Sequence, residues 1–212
     1  FVNGGKLIEP IYIDRIQDSE GHTIFNSEKR VCDRCEAISY LGNNYPKIKD
    51  NFEQIFSEET AYQLTSMLEG AVQRGTGKGL KDLNLNLAGK TGTTNKNTDA
   101  WFIGFTSNMV VGVYVGFDEP KTLGKIETGA RAALPIFKIF MKNAVKRRNS
   151  RPFKVAKNIK MMVVDPITGE KAKFGSKKTI IEAYKKENIK NIDLNNGNLK
   201  YRFNKHNILQ FY

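Results

Sequence analysis

LNLNLAGKTGTTNKNTDAWFIGF, Leu83 to Phe105, decides how this chain folds. Its centre, Gly89-Lys90-Thr91-Gly92-Thr93-Thr94, fits two unrelated sites. A phosphate-binding loop needs Gly-x-x-x-x-Gly-Lys-Thr, because its glycines let backbone N–H groups wrap the phosphates. The first of those glycines would stand at position 84, where the chain has Asn84. That loop must also open a helix whose N-terminus faces the anion. The residues after Lys90, TGTTNKNTDAWFIGF, favour strand, turn and strand instead. The alternative is the edge of a sheet beside an acyl-transfer nucleophile. There a lysine supplies positive potential and moves a proton, hydroxyls bind a carboxylate, and a glycine admits the substrate. A backbone N–H beyond them stabilises an oxyanion. A Lys-Thr-Gly tripeptide is short enough to arise by chance, so its neighbours carry the argument.

Working outward, Leu85–Thr94, Ala100–Thr106 and Val110–Phe117 read as three strands. The last two form a hairpin across Ser107-Asn108. A helix is expected over about 130–148, with Leu134, Phe137, Ile139, Phe140 and Met141 covering the sheet and Pro135 in its first turns. Upstream, Ser57-Glu58-Glu59-Thr60 caps a helix. Its apolar positions Ala61, Leu64, Thr65, Leu68 and Val72 recur at helical spacing, and Gly75, Gly77 and Gly79 end it. Leu7–Ile16 reads as a strand, Asp18–Gly21 as a turn and His22–Phe25 as a returning strand. Residues 28–50 read as a loop insertion. Beyond Pro152, Ile159–Val164 is a strand and Asp165–Gly169 a turn. Thr179–Lys190 suits a short helix, and Asn196-Gly197 marks a hairpin within Ile192–Phe203. No internal repeat is present.

The chain has 212 residues, 40% hydrophobic and 26% charged, enough for one large or two small domains with a sizeable core. No apolar run reaches the roughly 20 residues of a membrane helix. The opening FVNGGKLIEP has no Met and sends an apolar pair into a turn, so the chain is expected to be a piece of a longer protein. The formal charge is +12, concentrated at Lys142, Lys146, Arg147, Arg148, Arg151, Lys154, Lys157 and Lys160. This run reads as a solvated helix end and linker. It lacks a nucleic-acid motif and has no aromatic interleaving beyond Phe153, so no nucleic-acid partner is expected. Cys32-Asp33-Arg34-Cys35 is at best half a zinc site, with His22 and His206 remote in sequence. A small disulfide and two inert thiols both remain open. No metal and no cofactor are expected.

Four blocks then identify a resemblance. FVNGGKLIEPIYIDRI, TAYQLTSMLEGAVQRGTG, LAGKTGTTNKNTDAWFIGFTSNMVVGVYVGFDEPKTLG and ETGARAALPIFKIFM resemble, in order, the transpeptidase domain of bifunctional (class A) penicillin-binding proteins. The resemblance covers most of residues 1–152. It implies an α/β fold, an antiparallel sheet flanked by helices of the penicilloyl-serine transferase (β-lactamase-like) type. The chain would be its C-terminal half, with 153–212 a small β-rich extension. Such enzymes cross-link peptidoglycan stem peptides ending in D-Ala-D-Ala through an acyl-serine, and β-lactams acylate the same serine. By similarity Lys90 gives electrostatics and proton relay. Thr91 and Thr93 hold the donor carboxylate, Gly92 admits it, the Thr93 N–H is one oxyanion donor and Thr94 flanks the site. Asp99 and Trp101 are read as fixing the hairpin.

The nucleophile motif Ser-x-x-Lys and the second motif Ser-x-Asn occur nowhere among the 212 residues. Ser27 is followed at the right spacing by Arg30, and Ser176 by Thr179. The resemblance therefore implies an intact parent with transpeptidase and glycosyltransferase activity, membrane-bound only through an upstream anchor, on the outer (periplasmic) side of a bacterial cytoplasmic membrane. These residues alone are expected to be inactive and to need the upstream half of the domain as a partner. A non-catalytic basic scaffold contacting anionic envelope polymer is the alternative.

Overall fold

A computed structural model describes residues 1–27, 31–33, 35, 47–49, 52–146, 150–173 and 175–189. The chain divides into two compact units, Gly5–Phe56 and Phe1–Gly4 with Ser57–Tyr212. The expected hairpin over Ile192–Phe203 lies outside the described residues.

In the smaller unit β1 (Arg15–Gln17) pairs antiparallel with β2 (Thr23–Asn26), with a register shift between Ile16 and Gln17. Asp18 closes the turn, its Oδ1 accepting from the N–H groups of Glu20 at 3.0 Å and His22 at 2.8 Å. The long strand expected over Leu7–Ile16 is thus reduced to its end. Pro10 has no N–H to give a ladder, and before β1 the described residues show a bridge from Lys6 to Gln54 and a bond from the Leu7 N–H to the Glu53 carbonyl. The loop expected over 28–50 contains a pair, β3 (Val31–Asp33) antiparallel to β4 (Lys47–Lys49). Cys32 and Cys35 are joined as a disulfide, Cα atoms 5.6 Å apart.

The larger unit is built on a three-stranded antiparallel sheet ordered β5 (Ala88–Thr93), β6 (Ala100–Phe105), β7 (Val110–Val115). Opposed residues point to one face. Gly89, Thr91 and Thr93 share a face with Gly104, Phe102 and Ala100, while Lys90 and Gly92 share the other with Ile103 and Trp101. The first face is covered by α2 (Leu134–Ala144). Phe102 and Phe137 meet edge-on at 4.7 Å. Their rings fill the space over the paired glycines Gly89 and Gly104. A Cβ on Gly104 would stand 2.7 Å from both rings. Val72, Leu80, Leu87 and Met141 complete this core. A π-helical turn, Gly129–Ala133, leads into α2, with proline at its start as expected.

α1 (Glu58–Gln73) lies beside β5. Ser57 caps it, its hydroxyl accepting from the Thr60 N–H at 3.2 Å. A 3-10 turn, Lys78–Leu83, follows the glycine loop. It is tied to α2 by Lys138 and Asp82 at 2.7 Å, and Lys138 holds the Asp82 carboxyl below its usual range.

Beyond Pro152, β8 (Ile159–Val164) pairs antiparallel with β9 (Ile180–Lys185). Here the helix expected over Thr179–Lys190 is a strand, followed by a helical turn at 186–189. The β-formers Ile180, Ile181 and Tyr184 pair along β8, and that pairing overrides local helix propensity. β9 also docks on α1. Gln63 Nε2 donates to the Ala183 carbonyl at 2.9 Å, and Arg74 is ion-paired with Glu182.

Glu69, half-buried on α1, has its carboxyl pushed up by burial, with Arg74 partly opposing this. A carboxyl whose folded value is raised costs stability once ionised. The penalty grows as pH rises from the unfolded value through the folded one and is absent below both. Glu69→Gln is therefore expected to raise the melting temperature at pH 7–8. The gain should vanish below about pH 4, where both states carry the proton; thermal unfolding across that range checks it.

Candidate active site

β5 is an edge strand, so Lys90 to Thr93 lie along a border that no other strand pairs among the described residues. Lys90 is exposed and donates from Nζ to the Thr91 carbonyl at 3.0 Å. Around it Val2, Leu68, Ile103, Phe105 and Val110 line an apolar groove of about 320 Å³. Ile103 and Trp101, on the same face, are 49% and 41% exposed. An ammonium at the rim of such a groove keeps its charge in water while its stem lies on apolar surface.

On the opposite face the Thr91 hydroxyl lies 2.9 Å from that of Thr76. The Thr93 hydroxyl accepts the Gly129 N–H at 3.0 Å. A hydroxyl that accepts one bond still has its own proton to donate, so Thr93 retains a donor for an anion. Gly129 reaches it because it has no side chain. A Cβ there would overlap the Trp101 carbonyl oxygen and stand 2.5 Å from the Gly92 oxygen and 3.1 Å from the Gly92 nitrogen. Sequence reading did not single out Thr76 or Gly129. Glycine loops read there only as helix stops, and neither carries a chemical signature.

Thr94 is bound up in the turn that ends β5. Its Oγ1 accepts the Asp99 N–H at 2.8 Å and lies 2.7 Å from the Thr98 hydroxyl. Asp99 also accepts from the Tyr114 hydroxyl at 2.9 Å. That bond, helped by Thr98 and Thr94, lowers its carboxyl below the usual range. Trp101 and Tyr114 rings lie 4.7 Å apart on the outer face. Asp99 and Trp101 thus hold β5, β6 and β7 in register at the end nearest Thr93.

Asp18, Glu20 and His22 bring metal-ligand types within 4.8 Å of one another. The Asp18 oxygens are taken by turn hydrogen bonds and by His22 Nδ1, so the group reads as a capped turn. No helix among the described residues is long and apolar enough to cross a membrane.

Comparison with known proteins gives concordant matches. The model for the penicillin binding protein transpeptidase domain matches residues 1–142. Penicillin-binding protein 1A of Rickettsia prowazekii (strain Madrid E) is 45% identical over 193 residues, 90% of this chain and 24% of that protein. Penicillin-binding protein 1A of Pseudomonas aeruginosa is 34% identical over 88% of this chain and 26% of its own length. The 2.6 Å crystal structure of penicillin-binding protein 1A from Haemophilus influenzae superposes with a TM-score of 0.67 at 30% identity, covering 85% of this chain and 30% of that one. The chain spans about a quarter of the length of the curated relatives it matches. Its antiparallel sheet flanked by helices agrees with the penicilloyl-serine transferase fold.

Proposed function

The chain belongs to the penicillin-binding protein transpeptidase family, and from that premise we propose that Lys90 to Thr94 form one wall of a serine D,D-transpeptidase site. One observation supports this most. A strand edge that no strand pairs among the described residues presents an ammonium on one face and, on the other, a threonine hydroxyl held by a backbone N–H with its own proton to spare. This arrangement suits a peptide that ends in a carboxylate.

In this reading a serine upstream of residue 1 attacks the carbonyl carbon of the penultimate D-Ala of a stem peptide. The C–N bond to the terminal D-Ala breaks, its nitrogen takes the proton, and D-Ala leaves. The acyl-serine ester then meets the amine of a neighbouring stem peptide. A new amide forms, the amine loses a proton and the serine regains its O–H. Lys90 supplies positive potential and assists proton movement. Thr91 and Thr93 bind the terminal carboxylate, Gly92 admits it, the Thr93 N–H is one oxyanion donor and Thr94 borders the site. β-Lactams enter as mimics of D-Ala-D-Ala.

On the same reading residues 1–152 are the C-terminal part of the transpeptidase domain and 153–212 an extension. The whole protein works on the outer face of the cytoplasmic membrane, held by an upstream anchor and accompanied by a glycosyltransferase. The upstream half of the domain covers the groove beside Lys90.

The test is labelling with fluorescent penicillin, followed by peptide mapping. The full-length gene product should take one label, at a serine upstream of residue 1. The 212 residues alone, lacking Ser-x-x-Lys and Ser-x-Asn, should take none. A folded full-length protein without label would overturn the enzyme reading and leave the basic scaffold in its place.

A further inference from the structure

The loop after α1 is built more tightly than a helix stop requires. Arg74 is the C-cap, and the chain then turns back so that the N–H groups of Gly75 and Gly77 both donate to the Ala71 carbonyl, at 3.1 and 3.0 Å. A side chain is crowded at both glycines. A Cβ on Gly75 would stand 2.9 Å from the Ala71 oxygen, and one on Gly77 3.2 Å from that oxygen and from the Val72 Cα. Thr76 sits between them, with its hydroxyl 2.9 Å from that of Thr91. Arg74, two residues before it, is held in turn by Glu182 of β9.

We propose that Thr76 is a positioning residue of the carboxylate-binding edge, its hydroxyl pairing with that of Thr91 to set the direction in which the pair donates. This rests on the reading that Thr91 binds the substrate carboxylate. Two hydroxyls in one hydrogen bond use one of their two protons. Whichever is the donor, the other proton is left for an external acceptor. The pinned glycine loop fixes one partner, so the pair presents a single outward donor. Without the Thr76 oxygen, the Thr91 hydroxyl rotates freely and its proton is not preset towards a ligand.

The experiment uses the full-length gene product with Thr76→Val and Thr76→Ser. Acylation rate constants are measured with benzylpenicillin and with its methyl ester, which lacks the anionic carboxylate. Thr76→Val should slow acylation by the free acid about 5- to 10-fold, the scale of one lost neutral hydrogen bond. It should leave the ester rate within about twofold, because the ester places no charge at the hydroxyl pair. Thr76→Ser should restore the wild-type rate. An equal fall for both probes marks a merely structural role and overturns the inference, as does no fall at all while the wild type labels normally. A wild type that takes no label brings down the transpeptidase reading and this inference together.

Discussion

Replacing Lys90 by methionine in the full-length gene product is expected to slow acylation by penicillin about 10²–10³-fold, roughly 2.7–4 kcal/mol of transition-state stabilisation. The reasoning is electrostatic. Attack on a carbonyl develops negative charge, and a carboxylate-bearing substrate brings more. The ammonium of Lys90 sits at the rim of an apolar groove, and where the groove excludes water its field is screened less than in solution. Methionine keeps the length and apolar stem but removes the charge. Stability should barely change. Lys90 is exposed and, among the described residues, its Nζ bonds the neighbouring Thr91 carbonyl, and surface changes of this kind stay within about 0.5 kcal/mol. Stopped-flow acylation and thermal unfolding on one preparation separate the two effects. A fall of less than tenfold with an unchanged melting temperature would remove Lys90 from the chemistry.

The second large effect is expected at Gly129. Gly129→Val should destabilise the domain by about 3 kcal/mol or more, at the upper end of overpacking costs. It should also impair acylation in whatever fraction remains folded. The first added carbon already overlaps the Trp101 carbonyl oxygen and presses on the Gly92 backbone. The π-helical turn has to move off the sheet, and the Gly129 N–H then leaves the Thr93 hydroxyl. π-helical turns inside helices often occur at functional sites, and here the turn brings a helix start against the strand edge. Denaturant unfolding measures the first effect and acylation of the native fraction the second. Wild-type stability for Gly129→Val would show that the close approach of turn and strand is not needed.

Local patterning carried much of the architecture. Dense β-formers around Ser107-Asn108 predicted the hairpin, and β6 and β7 are that hairpin. Ser57 with acids behind it predicted the start of α1, where the hydroxyl does cap the helix. Ile159–Val164 formed as a strand with the expected bounds. Failures fell where local preference met a distant partner. Thr179–Lys190 had the composition of a short helix, but β9 pairs with β8 and bonds to α1. Leu7–Ile16 had strand composition, but among the described residues Arg15 and Ile16 are the part of it that pairs as a strand, with β2.

By itself, the sequence determined the Lys90-Thr91-Gly92-Thr93 strand and the turn after it. Alternation, turn residues and missing loop glycines act over a few positions, and those suffice to choose strand over phosphate loop. Only the tertiary structure decided what stands behind that strand. The Gly129 N–H comes from 36 residues away to hold Thr93. The Thr76 hydroxyl reaches Thr91 across 15 residues, and Glu182 holds Arg74 across 108. These contacts depend on how the helices settle on the sheet, and that is set by the Phe102–Phe137 core and the glycines that make room for it. A threonine in a glycine loop and a glycine at a helix start have no local signature of such roles, because the roles exist only once the elements have packed.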